Sequence, residues 1–181
     1  MTSGTLRSEL ERLNACSAAD FVAALGGIYE HSPWVAERTA GSRPFRTGRL
    51  LHDTMQGVVQ SASPEEQLAL IRAHPELAGR EAVAGILTQA SASEQGRLGL
   101  DRLSRSEFEH LAELNRRYRD TFGFPCIIAL RLHPTRESVL AEFERRISNS
   151  RERELATALE QIGHIARGRL ARGLARRDGP G

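Results

Sequence analysis

Two short stretches of the chain hold the residues that could do chemistry. In Ala73-His74-Pro75-Glu76-Leu77-Ala78-Gly79 a histidine stands immediately before a proline, so its imidazole sits where a helix must end or break. In Ser91-Ala92-Ser93-Glu94-Gln95 a carboxylate is flanked by hydrogen-bonding side chains. A positioned imidazole and a positioned carboxylate are the minimum equipment for general acid–base catalysis near neutral pH. Each stretch also has a purely structural reading. A histidine at a helix end can simply be buried and satisfied, and Ser91-x-x-Glu94 has the form of a capping box that opens a helix. In the functional reading, that helix start aims Ser91, Glu94 and Gln95 at an anionic or ureide-like ligand, together with its backbone N–H groups. Arg169 could hold a carboxylate bidentately, although one arginine among many carries no signal by itself.

The remaining chemistry is narrowed mainly by what is missing. All 25 basic residues are arginine, so there is no lysine amine to form an imine with a substrate or with pyridoxal phosphate. No glycine-rich phosphate loop or G-x-S-x-G elbow occurs. No two histidines fall at i, i+3 or i, i+4, and Cys16 and Cys126 lie far apart with no metal-like spacing, so no metal is expected. The two isolated thiols and the absence of a signal-peptide pattern fit a reduced, cytoplasmic protein. A net charge of +2 argues against nucleic acid as a partner. Apolar runs such as Cys126-Ile127-Ile128-Ala129-Leu130 are too short to cross a bilayer.

At 181 residues, with 40% hydrophobic and 27% charged residues, the chain fits one soluble domain, expected here over 1–181 with a frayed tail from about 173. Its periodicity is helical almost throughout, which predicts a single compact all-α, multi-helix domain. Ser17 can cap a helix that Gly26-Gly27 weakens. Ser32-Pro33 reads as N-cap and first residue of a short helix closed near Gly41, and another helix spans about Gly48 to Gln60. Ser63-Pro64-Glu65-Glu66 and Ser104-Arg105-Ser106-Glu107 are capping boxes. The first opens a helix stopped by Pro75, and the second opens one carrying Phe108, Leu111, Leu114, Tyr118 and Phe122 up to Gly123. Further helices fit roughly 135–148 and 151–172. The exception is 124–130, a short extended apolar segment expected to be buried with no strand partner. Its backbone N–H and C=O groups then need partners, which side chains, turns, water or a polar ligand could supply.

Taken in order along the chain, these motifs resemble the OHCU decarboxylase family, which acts on 2-oxo-4-hydroxy-4-carboxy-5-ureidoimidazoline. The resemblance rests on Phe21-Val22 through Leu25-Gly26 with Glu30-His31-Ser32-Pro33-Trp34, on His74-Pro75-Glu76-Leu77-Ala78-Gly79-Arg80, and on Ser91-x-x-Glu94-Gln95. Phe122-Gly123-Phe124-Pro125-Cys126-Ile127-Ile128-Ala129 and Ile165-Ala166-Arg167-Gly168-Arg169-Leu170 complete it. It implies an all-helical homodimer that turns this small molecule into (S)-allantoin without a cofactor. On the family's pattern, His74 is the catalytic histidine and Glu94 its partner carboxylate. Pro75, Ser91, Gln95 and Arg169 fall on substrate-contacting positions, and the backbone of Cys126, Ile127, Ile128, Ala129 and Leu130 on the segment that bonds the ring and ureido groups. Cys126 stands where an aromatic is common and Gly168 where a leucine is frequent. The rival reading is a non-catalytic helical module whose arginine-rich end binds an acidic partner; a ureide-binding protein that has lost turnover would lack His74 or Glu94, and both are present.

Overall fold

Short polar side chains that satisfy the first free N–H groups start most of the helices in this computed structural model, which describes residues 3–176. Ten α-helices occur among the described residues, with no strand. They fall into two compact units, one of the described residues up to Leu70 together with those from Ala166 onward, the other Ile71–Ile165. Two helices, 64–72 and 151–176, contribute residues to both.

The first unit begins with α1 (Ser3–Ala15), which the sequence reading did not anticipate. In α2 (Ala18–Leu25) the Ser17 hydroxyl accepts from Asp20 N–H, as its position predicts. Helix α3 (Trp34–Thr39) corrects one expectation: Pro33 is the N-cap rather than the first helical residue, and Ser32 spends its hydroxyl on the Glu30 carbonyl at 2.9 Å. A 3₁₀ turn over Ala40–Ser42 closes it. Thr47 caps α4 (Gly48–Gln60), whose Leu51, Met55 and Val59 recur at four-residue steps and are buried. The Ser63 box opens α5 (Pro64–Arg72), with Glu66 reaching back to Ser63 N–H at 3.0 Å.

The second unit contains a single-turn helix, α6 (Arg80–Val83), then α7 (Gln89–Arg97) and α8 (Arg105–Phe122). The capping box at Ser104 forms in both directions, and α8 stops at Gly123, whose φ of 79° a side-chain-bearing residue rarely adopts. Tyr118, Phe122, Phe124 and Phe143 meet as an aromatic cluster, with Tyr118 and Phe143 edge to face at 5.6 Å. Phe143 comes from α9 (Arg136–Arg146), somewhat shorter than the predicted 135–148. Residues 124–129 form neither helix nor strand and lead into a 3₁₀ turn over Leu130–Leu132. The last helix, α10 (Arg151–Arg176), runs past the expected limit of 172, so the tail predicted from about 173 is helical to Arg176. Leu170 and Leu174 continue its apolar face there and are buried, which is why the helix does not fray at Gly173. The rest of that predicted tail, 177–181, lies outside the described residues.

Candidate functional site

Proline at position 75 ends α5, yet His74 N–H still reaches back to the Ile71 carbonyl at 3.2 Å, which leaves the imidazole buried at the end of the helix. The chain then turns sharply, with Gly79 N–H on the Glu76 carbonyl at 3.2 Å. A Cβ at Gly79 would come within 2.6 Å of the Glu76 Cβ, so only glycine lets the turn close. Ala78 sits at φ 46°, a left-handed conformation that L-residues pay to adopt. It is held there by Gln95, whose Oε1 accepts Ala78 N–H at 2.8 Å while Nε2 donates to the Glu76 carbonyl at 3.4 Å. Asn115 donates to the Leu77 carbonyl at 2.9 Å, and Arg119 pairs with the Glu76 carboxylate. The loop carrying His74 is therefore clamped by side chains from α7 and α8.

Helix α7 corrects the sequence reading of Ser91. The N-cap is Thr88, whose hydroxyl accepts from Ser91 N–H, so the helix opens one turn earlier and Ser91-x-x-Glu94 is not its capping box. Both triplets have cap-like chemistry, and the earlier one wins because it buries Ser91 and Gln95, each 5% exposed. Ser91, Glu94 and Gln95 thus share one face at i, i+3 and i+4, with Glu94 partly buried between two buried polar neighbours. Thr88→Ala should cost about 1 kcal/mol by loss of the cap, measured as a fall in the denaturation midpoint, whereas Ser91→Ala should not act through the helix start.

The 124–130 segment answers the question of its own backbone with long side chains. Arg146 donates to the Ile127 carbonyl, the Gln161 carboxamide accepts Ala129 N–H at 2.8 Å, and Arg97 of α7 donates to the Leu130 carbonyl and, at 3.2 Å, to that of His133. The Ala129 carbonyl closes the 3₁₀ turn with Leu132 N–H. Among the described residues none bonds the N–H of Ile127 or Ile128, or the Ile128 carbonyl. The Cys126 thiol is pushed up to about 12, chiefly by burial, and stays protonated and unreactive at neutral pH. A thiol reagent applied to the native protein should therefore label the more exposed Cys16 and spare Cys126 until the chain is unfolded, read by peptide mass.

Arg169 belongs to the other unit. Its Nη1 donates to Glu30 Oε2 at 2.6 Å, with both side chains almost wholly buried. The sequence reading had quoted Glu30 only as part of a motif. Together with Arg97, Arg146 and Gln161 it is among the residues that reading passed over, because nothing local to any of them shows its distant partner. In the second unit, a cavity of about 620 Å³ is walled by Ala82, Val83, Leu87, Gln95, Leu103 and Phe108 among others, and neither His74 nor Glu94 lines it. Among the described residues no three His, Cys, Asp or Glu side chains gather as a metal-holding group, and no helix is long and apolar enough to cross a membrane.

Comparison with known proteins identifies the family. Residues 14–171 match the family model described as OHCU decarboxylase. A 2-oxo-4-hydroxy-4-carboxy-5-ureidoimidazoline decarboxylase from Haloferax volcanii is 44% identical over 162 residues, covering 90% of this chain and 94% of that one. The enzyme of the same name from Mus musculus is 34% identical, covering 90% of each chain. A crystal structure of (S)-allantoin synthase superposes with a TM-score of 0.70 at 32% identity, over 91% of this chain and 53% of that longer one. With His74-Pro75, Glu94-Gln95, the 126–130 segment and Arg169 all inside the matched span, the chain belongs to the OHCU decarboxylase family.

Proposed function

We propose that this protein decarboxylates 2-oxo-4-hydroxy-4-carboxy-5-ureidoimidazoline to (S)-allantoin in urate degradation, with no cofactor. Loss of carbon dioxide leaves an electron pair on the ring carbon, and the adjacent C=N and carbonyl groups of the substrate can delocalise it. The substrate is its own electron sink. The protein's work is then to orient the carboxylate, stabilise the enolate-like charge and deliver a proton to one face. The observation that carries the reading is the tie made by Gln95, which holds the loop of buried His74 against the helix that bears Glu94.

In this reading His74, assisted by Glu94, acts on the substrate hydroxyl or ring and relays the proton. Pro75 and Ser91 line the substrate, and Gln95 does so while bracing the loop. From the segment Cys126–Leu130, the N–H groups of Ile127 and Ile128 and the Ile128 carbonyl offer hydrogen bonds to the ring and ureido groups. Family membership supports Arg169 as a ligand for the substrate carboxylate, with Glu30 fixing its guanidinium. The protein is further proposed to act in the cytoplasm as a homodimer, which light scattering on the purified chain would test. The decisive experiment adds it to freshly made product of urate oxidase and hydroxyisourate hydrolase and follows circular dichroism. A burst of (S)-allantoin is expected, and its absence with folded protein would overturn the assignment.

A further inference from the structure

Arg146 is wholly buried, and its position is set by more contacts than charge balance requires. Nε donates to Glu154 Oε2 at 2.9 Å, while Nη2 pairs with the same oxygen at 2.7 Å and donates to the Tyr118 hydroxyl at 3.2 Å. Tyr118 in turn donates to Glu154, whose other oxygen accepts from Asn149 at 2.6 Å. Burial opposes ionisation of Glu154, but these donors outweigh it and hold its carboxyl below the ordinary range, so the pair is ionic. Nη1 then points to the Ile127 carbonyl. Ion pairs replaced by apolar residues of the same volume are often no less stable, so stability alone does not account for a buried charge aimed at one peptide bond.

We propose that Arg146 is a positioning residue for the decarboxylation: it orients the Ile127–Ile128 peptide and strengthens Ile128 N–H as a donor to the charge that develops on the substrate. The inference rests on the assignment of 126–130 to substrate binding made above. The physical basis is that the Ile127 carbonyl and the Ile128 N–H belong to one planar peptide unit. A charge-assisted bond to the oxygen draws electron density from the nitrogen, and hydrogen bonds in such a chain reinforce each other. That N–H has no partner among the described residues, whereas the next one along, at Ala129, is taken by Gln161. The guanidinium therefore acts on a peptide unit whose own donor is left for a ligand. Glu154 and Tyr118 keep its fork from rotating.

The test compares Arg146→Lys with the wild type. Lysine keeps the charge but cannot serve Glu154 and the Ile127 carbonyl together. The variant should lose about tenfold or more in kcat with little change in KM, less than the 10²–10³ seen when such a donor is removed outright. The (S)-allantoin formed should lose optical purity, and the Ile128 amide proton, seen by ¹⁵N-isoleucine labelling, should move upfield. If Arg146→Lys does not fold, Tyr118→Phe keeps the ring and removes one restraint on the guanidinium. A several-fold loss in kcat with the same upfield shift is then expected. A folded variant with a lowered melting temperature but unchanged kcat, optical purity and amide shift would overturn the proposal, for Tyr118→Phe as for Arg146→Lys. A wild-type protein that forms no (S)-allantoin would instead overturn the proposed function, which the same assay reports separately.

Discussion

His74→Ala and Glu94→Gln should each lower the enzymatic rate by about 10²-fold or more, the usual loss for a removed acid–base group, with the melting temperature changed far less than the rate. Rate is only half of the readout. Because the substrate also loses carbon dioxide unaided, a crippled enzyme still yields allantoin, and what it loses is control over the face that receives the proton. The product of both variants should approach a racemate, seen as a collapse of the circular dichroism burst while carbon dioxide release continues. Glu94→Gln is the more informative change, since it keeps the size and hydrogen-bonding capacity of the side chain and removes its charge. Glu94 stands one residue before the clamp made by Gln95, so unchanged protection of the 74–79 loop in hydrogen exchange would separate lost chemistry from a displaced loop. Wild-type rate and optical purity in both variants would remove these residues from the mechanism.

Glu30→Ala should be the most destabilising of the single substitutions considered. It strips Arg169 of a partner held at 2.6 Å in a site where both side chains are nearly inaccessible to water. Breaking one side of a buried pair costs about 3–5 kcal/mol, because a charge shielded from water loses one of the opposite charges that offset its desolvation. For a chain of this length that corresponds to a fall on the order of 10 °C in melting temperature. The double variant Glu30→Met with Arg169→Met should recover much of the stability, since apolar residues of similar volume avoid the desolvation cost. Its activity should not recover, because the proposed carboxylate ligand is gone. Calorimetry and the dichroism assay on the same preparations check both statements. A double variant as unstable as Glu30→Ala would show that the pair is needed for packing rather than for charge compensation.

Much of the helical framework was legible in the residues. The boxes at Ser63 and Ser104, the cap at Ser17, the stop at Gly123 and the break at Pro75 all work through bonds spanning three or four residues, so the chain carries them in its local order. His74 at a proline-stopped helix end, and a buried apolar segment that leaves the helical pattern, follow from the same local rules. Where two local patterns competed, as with Thr88 and Ser91, propensity alone could not choose between them. Burial of Ser91 and Gln95 chose the earlier start, and so turned a supposed cap into one face of a helix.

The partners of the buried charges belong to the fold alone. Glu30 and Arg169 lie 139 positions apart, and Arg146 and Ile127 are 19 apart in different elements. No periodicity links such pairs, because a carboxylate or guanidinium reads the same in sequence whether it faces water or a buried counter-charge. Only packing, by excluding water around them, makes their pairing obligatory. By itself the sequence determined which residue types were available for chemistry and where its helices stop. The tertiary structure decided which backbone groups of 126–130 are already bonded and which remain for a ligand, since that depends on where arginines and a glutamine from distant helices come to rest.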